Sequence, residues 1–149
     1  MNMLNKISLF FIVMLLSANI AFASNDNSTA VQIVKQYLHK LNTQSESTVF
    51  TAINTKAPTN NPRFNILIYD FTGIVKAWSF IPTYVGKDIS TFKDGDGNTA
   101  LATLEQVAKT TPSGWFDFKV VDSTTNLPAN IKSYYETFNN YIVICGYIE

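Results

Sequence analysis

Residues 94–105 read DGDGNTALATLE, a stretch whose oxygen-bearing side chains are spaced like those of a calcium-binding loop. The EF-hand loop takes oxygen ligands from positions 1, 3 and 5 and a glutamate from position 12, with glycine at position 6. Four residues fall on the ligand positions: Asp94, Asp96, Asn98 and Glu105. Thr99 stands where glycine is required. The spacing makes calcium a candidate ligand, and the sixth position argues against it.

The element that follows this stretch decides between a metal loop and a helix entrance. Apolar residues return at helical spacing over residues 99–110, so Asn98 is the predicted N-cap of a helix. Glu105 then lies about 10 Å along the helix from its cap, whereas a calcium ligand lies within about 2.6 Å of the ion. We therefore predict a turn that leads into a helix, in which Gly95 and Gly97 supply unusual backbone angles.

The first 23 residues have the three parts of a cleaved secretory signal. Lys6 supplies a positive charge, and an apolar run follows over Ile7–Leu16. Residues 21–23 are Ala-Phe-Ala, with the small residue alanine at the two positions that a signal peptidase recognises. The apolar run is about half of the roughly 20 residues that a membrane-spanning helix needs. We therefore expect a periplasmic or secreted protein whose mature chain, residues 24–149, is a single domain without a membrane span.

The composition of the mature chain argues against several classes of function. Without Lys6 it has ten basic and eleven acidic residues, a net charge of about −1 that gives no reason to expect nucleic acid as a partner. Cys145 is the sole cysteine, so no internal disulfide is expected, and its apolar neighbours predict a buried strand. His39 is the sole histidine, which leaves neither a zinc site nor a Ser-His-Asp triad. We therefore expect no enzyme and no cofactor.

Hydrophobic periodicity divides the mature chain into helices and strands. A one-sided apolar stripe predicts a helix over about residues 30–42, and a weaker pattern extends helical structure over 47–54. β-rich runs predict a hairpin within residues 64–80 and three further strands within 114–148. The helix over 99–110 lies between the second and third strands. The expected fold is α+β, a five-stranded antiparallel sheet with helices packed on one face.

Short motifs occur in a fixed order along these elements: Asp70-x-x-Gly73, Val85-Gly86-Lys87-Asp88, Lys93-Asp94-x-x-Gly97, Gly114-Trp115, Lys132 with Tyr135, and Gly146 in the last strand. In this order and spacing they resemble a single Cache domain, the PAS-like extracytoplasmic sensor module of bacterial receptors. The resemblance covers about residues 64–149, and the N-terminal helix suits the family's leading helix. It implies a PAS-like fold with a ligand pocket between the sheet and its covering loops.

The resemblance also implies that a small organic ligand, such as a carboxylate, binds in that pocket. Lys132 is the expected partner of the anion, although a solvated strand lysine is an equally good interpretation of it. The tryptophans are expected as pocket walls or as core residues, because ligand pockets combine aromatic walls with a few placed polar groups. Seven residues are the expected contacts: Lys132, Trp78, Trp115, Tyr135, Tyr134, Phe118 and Asp94. Asp94 is expected first to form the turn and second to contact the ligand.

Three positions depart from the residues usual in the family. Trp78 stands where the family usually has histidine, Phe118 where it has tyrosine, and Val120 where it has tryptophan. Two hypotheses follow. In the first, the protein is an exported ligand-binding sensor module whose partner is a membrane receptor or transporter. In the second, bulky apolar residues fill the cavity, and the fold serves as a ligand-free interaction or scaffold protein.

Overall fold

The computed structural model of the protein describes residues 25–55, 62–121 and 125–149. The predicted signal segment, residues 1–23, lies outside these ranges. Five strands form one antiparallel sheet: β1 (Phe64–Asp70), β2 (Val75–Trp78), β3 (Ser113–Val121), β4 (Pro128–Phe138) and β5 (Tyr141–Ile148). The predicted sheet is confirmed. Over the three described stretches, no helix is both long and apolar enough to cross a membrane.

The order of the strands across the sheet is β2-β1-β5-β4-β3, so the last strand of the chain lies at the centre. Because β2 and β3 occupy opposite edges, the chain crosses the sheet between them. Two short 3-10 turns, Pro82–Tyr84 and Ile89–Thr91, and a helix, Ala100–Ala108, make this crossing. The predicted helix between the second and third strands is thus confirmed, with Thr99 rather than Asn98 as its N-cap.

Two helices precede the sheet. The first, α1, covers residues 25–43, and the second, α2, covers Glu46–Thr55. α1 extends further toward the N-terminus than the predicted start near residue 30. Contacts remote in sequence hold this end on the sheet, since Arg63 pairs with Asp26 at 2.9 Å and the Tyr147 hydroxyl lies 2.5 Å from Asn27 Oδ1. Helical periodicity alone does not show such contacts.

The helices cover both faces of the sheet, so the prediction that they pack on one face is wrong. α1 and α2 cover what we call the α1 face, where Val34 and Ile53 lie in one core with Ile66 of β1. The crossing helix, α3 (Ala100–Ala108), covers the opposite α3 face, where Leu104 lies in a second core with Leu67 of β1. Adjacent residues of a strand point to opposite faces, which is why β1 contributes to both cores.

The turn between β1 and β2 is held by the carboxylate of Asp70. Its Oδ1 accepts hydrogen bonds from the backbone N–H groups of Thr72 at 2.9 Å and Ile74 at 3.0 Å, and from the Thr72 hydroxyl at 2.6 Å. Its Oδ2 lies 2.9 Å from Lys76 Nζ. Burial by itself raises the pKa of Asp70, but these donors outweigh it and hold the pKa at about 2.

The DGDGN stretch forms a turn that lies against the edge of the sheet. Asp94 Oδ1 accepts hydrogen bonds from the N–H groups of Asp96 at 3.0 Å and Asn98 at 2.8 Å. The N–H of Gly95 donates to the carbonyl of Lys119 in β3 at 2.7 Å. A Cβ at Gly95 would lie 3.1 Å from the backbone of β3, so glycine allows this close approach. The turn enters α3, and it also covers one part of the β3 edge.

Candidate functional site

The structure separates the seven predicted ligand contacts. Three lie in the core of the α3 face: Trp78, Phe118 and Tyr135. Three lie together on the α1 face: Lys132, Trp115 and Tyr134. Asp94 forms the turn before α3. A single cleft that joins Lys132 to both tryptophans therefore does not exist in the described part of the chain, because residues 132 and 134 of β4 point away from the face that residue 135 occupies.

On the α1 face, Lys132 already has partners within the protein. Its Nζ lies 3.6 Å from Glu149 Oε1 and 5.9 Å from the centroid of the Trp115 ring. The Trp115 ring lies 5.2 Å from that of Tyr134, whose hydroxyl donates to Glu136 at 2.6 Å. Trp115 is 41% exposed and also borders an open groove beside α1. This group is a surface feature rather than an enclosed site.

The α3 face contains a small, partly enclosed cavity beside Trp78, which we call the Trp78 cavity. Its volume is about 30 Å³. Since one water molecule needs about 10–15 Å³ of such space, the cavity has room for about two. Typical sites for small organic molecules measure roughly 300–1,000 Å³. Trp78, Phe118 and Val120, the three positions that depart from the family's usual residues, all line it.

Trp78 separates the Trp78 cavity from the segment between β2 and α3, residues 79–99, which we call the crossing loop. Trp78 packs against two aromatic rings of that loop. Its ring lies edge-on to Tyr84 at 5.7 Å and to Phe92 at 5.0 Å, and the latter two rings are 5.6 Å apart. The hydroxyl groups of Tyr84 and Thr91 share a hydrogen bond of 2.6 Å. Any enlargement of the cavity toward the loop therefore requires Trp78 to leave these rings.

A strip of small and polar residues crosses the sheet next to the cavity. Ser133, Gly146 and Asn65 lie side by side on β4, β5 and β1. Asn65, which lines the cavity, donates from Nδ2 to the carbonyl of Gly146 at 3.1 Å. Ser133 is fully buried, and its Oγ has no hydrogen-bond partner among the described residues. Buried hydroxyl groups are nearly always paired, so this one is a candidate contact for a bound molecule.

Gly146 creates the space that this strip occupies. A Cβ at that position would lie 2.8 Å from both Ser133 Oγ and Ile131 Cγ2, and 3.4 Å from Asn65 Nδ2. No real Cβ approaches its neighbours that closely, so a larger residue would displace the two polar side chains. The sequence contains one signal for this feature, a serine that alternates with Ile131 and Tyr135 on the apolar side of β4.

Arg63 borders the Trp78 cavity and is about half exposed. Its guanidinium group pairs with Asp26 at 2.9 Å and donates to the carbonyl of Ile148 at 3.2 Å. A guanidinium suits carboxylates because its N–H groups can bind both oxygens at once. The sequence excludes a clamp of several arginines but does not show that its single arginine lies beside a cavity. The residue with a positive charge that borders the Trp78 cavity is thus Arg63 and not Lys132.

Comparison with known proteins supports the fold. No protein-family model and no curated protein matches the sequence. Solved structures do: a methyl-accepting chemotaxis protein from Vibrio parahaemolyticus RIMD 2210633 is 14% identical, with 91% of this chain and 96% of that chain aligned and a TM-score of 0.65. The periplasmic sensor domain of a chemotaxis protein is also 14% identical, with 90% and 98% aligned and a TM-score of 0.62.

A third similar structure explains how a Cache chemosensory domain recognises carboxylic acids. It is 21% identical to this chain, with 91% of this chain and 97% of that chain aligned and a TM-score of 0.60. At these identities the likeness is one of fold. The predicted resemblance to Cache sensor domains is confirmed at that level: the protein has the PAS-like α+β Cache fold, and the alignments cover about nine-tenths of the chain.

Proposed function

We propose that the protein is an exported Cache-type sensor module that binds a small organic ligand at the Trp78 cavity. One observation carries the proposal: a mainly apolar, aromatic cavity includes Asn65 in its lining, and Asn65 lies in the same strip across the sheet as the buried Ser133 hydroxyl, which has no partner among the described residues. This combination of apolar walls and a few polar groups is typical of small-molecule sites. The similar fold of periplasmic chemotaxis sensor domains supports the same assignment.

The polar groups around the cavity favour a short carboxylate as the ligand. Arg63 and Asn65 line the cavity and provide a positive charge and a neutral amide donor. The Ser133 hydroxyl, in the same strip across the sheet as Asn65, provides a second neutral donor. The rings of Trp78 and Phe118 would contact the apolar end of the molecule. Because the cavity volume is about a tenth of the lower limit for typical sites, the crossing loop opens on binding.

The partner in this proposal is a membrane receptor or transporter. A periplasmic or secreted module of this kind relays the presence of its ligand by offering that receptor a changed surface. The crossing loop is the part of the surface that would change, because Tyr84 and Phe92 pack against Trp78. The signal segment over residues 1–23 is the route of export in this proposal.

A second candidate function has an observation in its favour. The small volume of the Trp78 cavity, and the fact that Trp78, Phe118 and Val120 line it, fit a fold whose pocket has been filled. The protein would then be a ligand-free interaction or scaffold module. The two functions differ in one measurable property, since only the first includes a small molecule that stabilises the native state.

The test is a thermal-shift screen of the purified protein with short carboxylates and with the corresponding primary amides. We expect at least one carboxylate to raise the melting temperature and its amide to raise it less, because only the carboxylate gains from Arg63. Arg63→Gln should reduce the carboxylate shift and leave the amide shift unchanged. If no carboxylate, amine or amino acid stabilises the protein, the scaffold function is the better one.

A further inference from the structure

We infer that the protein forms a two-fold dimer in which β3 (Ser113–Val121) pairs antiparallel with β3 of a second copy. β3 is an edge strand of nine residues, and the opposite edge strand, β2, has only four. A long edge strand offers unpaired backbone groups on which another strand can form. This inference does not depend on the proposed ligand.

The open part of this edge is defined by the contacts of Lys119. Its carbonyl accepts a hydrogen bond from Gly95, so its backbone groups face away from β4. Backbone direction alternates along a strand, and Ser113, Trp115 and Asp117 therefore face outward as well. Across the described chain, no other backbone segment bonds to these three residues. The edge is covered at Lys119 and open from Ser113 to Asp117.

Apolar side chains flank the open edge on both faces of the sheet. Trp115 is 41% exposed on the α1 face. On the α3 face, Val107 of α3 is 45% exposed and borders a groove of about 380 Å³ with Phe116 and Leu104. A second sheet laid along β3 would cover all of these residues. A partner with the same edge fits both sides at once, because a two-fold axis places each patch against its own copy.

Charge and the Gly95 contact select the register of the pairing. A two-fold axis at Asp117 would place two carboxylates opposite each other, which destabilises a strand pair. An axis at Lys119 is blocked by Gly95. An axis at Trp115 uses the whole open edge and places Asp117 opposite Ser113 of the second copy.

The Trp115 register also pairs the charges and the rings. Each Asp117 lies between Lys132, its neighbour on β4, and the Ser113 hydroxyl of the second copy, so it has a cation on one side and a donor on the other. Trp115 neighbours Tyr134 on β4, and the axis therefore gives a row of four aromatic rings across the seam. Aromatic pairs across strands stabilise a sheet. We therefore take a second copy, rather than a foreign peptide, as the occupant of this edge.

The test is oxidative cross-linking of Trp115→Cys, with Val121→Cys as the matched control. At a Trp115 axis the two Cα atoms lie about 5.5 Å apart, within the range that a disulfide spans. Val121 lies on the same strand, is 52% exposed and follows the covered residue Lys119. Cys145 is buried and does not compete. We expect covalent dimer from Trp115→Cys and little from Val121→Cys.

Sedimentation velocity across a concentration series gives the second measurement. The wild-type protein should shift from monomer to dimer as concentration rises, and Trp115→Lys should remain monomeric with an unchanged circular dichroism spectrum. Equal cross-linking of the two cysteine variants overturns the inference. So does a wild-type protein that is monomeric throughout the series, or a dimer that Trp115→Lys leaves intact.

Discussion

The two faces of the sheet are both buried, yet they are built differently. The α1 face is covered by two regular helices, and its core is mainly aliphatic, with Ile66, Ile68 and Val143 at its centre. The α3 face is covered by one short helix and a loop, and its core includes Trp78 and a buried serine. Both cores stabilise the domain. The α3 face also contains the Trp78 cavity and the Ser133 hydroxyl that has no partner in the described residues, and in the proposed function it is the face that responds to a ligand.

The largest expected effect separates the two tryptophans. Trp78 is 1% exposed and packs against two rings, so Trp78→Ala should lower the free energy of unfolding by about 3–5 kcal/mol. Trp115 is 41% exposed on the other face, and Trp115→Ala should cost less than about 1 kcal/mol in the monomer. Urea denaturation at low protein concentration measures both. Equal losses would contradict the different burial of the two tryptophans.

A smaller effect is expected from Asp70, whose carboxylate holds the β1–β2 turn outside both cores. Its folded pKa of about 2 lies below the unfolded value of about 3.9. The charged carboxylate therefore contributes about 2 kcal/mol above pH 4, and this contribution is lost as the pH falls toward 2. Asp70→Asn should flatten the acid limb of the stability curve. If the free energy of unfolding of that variant depends on acid pH as steeply as that of the wild type, groups other than Asp70 cause the acid sensitivity.

The smallest effect is expected at Ser133 on the α3 face. Because its hydroxyl lacks a partner in the described residues, Ser133→Ala should leave the free energy of unfolding unchanged or raise it by up to about 1 kcal/mol. Chemical denaturation of the ligand-free protein provides the measurement. A decrease of more than about 1 kcal/mol in the free energy of unfolding would mean that the hydroxyl has a stabilising partner in the free protein. That result would contradict its role as a ligand contact.

Strand alternation predicted much of the sheet but could not assign its faces. In β3, alternation places Phe118 and Val120 on one face of the strand, and both are buried. It shows which residues of one strand share a face, but not whether that face matches the one that another strand presents. Lys132 and Trp78 were therefore grouped from their chemistry, and the register between strands places them on opposite faces.

The remaining differences arise from contacts that are remote in sequence. α1 starts early because Arg63 and Tyr147 hold its first turn. The DGDGN turn was correctly predicted as a helix entrance, but its position on β3 depends on Gly95 and Lys119, which are far apart in the chain. The order of helices and strands along the chain likewise does not show which face of the sheet the connection between β2 and β3 covers. Local patterns thus predict elements, while the cavity and the covered edge follow from their assembly.

The most direct test of the account uses two neighbouring residues of β4 that point to opposite faces. Ligand-induced thermal shifts with short carboxylates are measured for the wild-type protein, for Ser133→Ala and for Lys132→Ala. The account predicts that the shift persists in Lys132→Ala, on the α1 face, and is strongly reduced in Ser133→Ala, on the α3 face. A shift that is lost with Lys132 and retained without the Ser133 hydroxyl would contradict it.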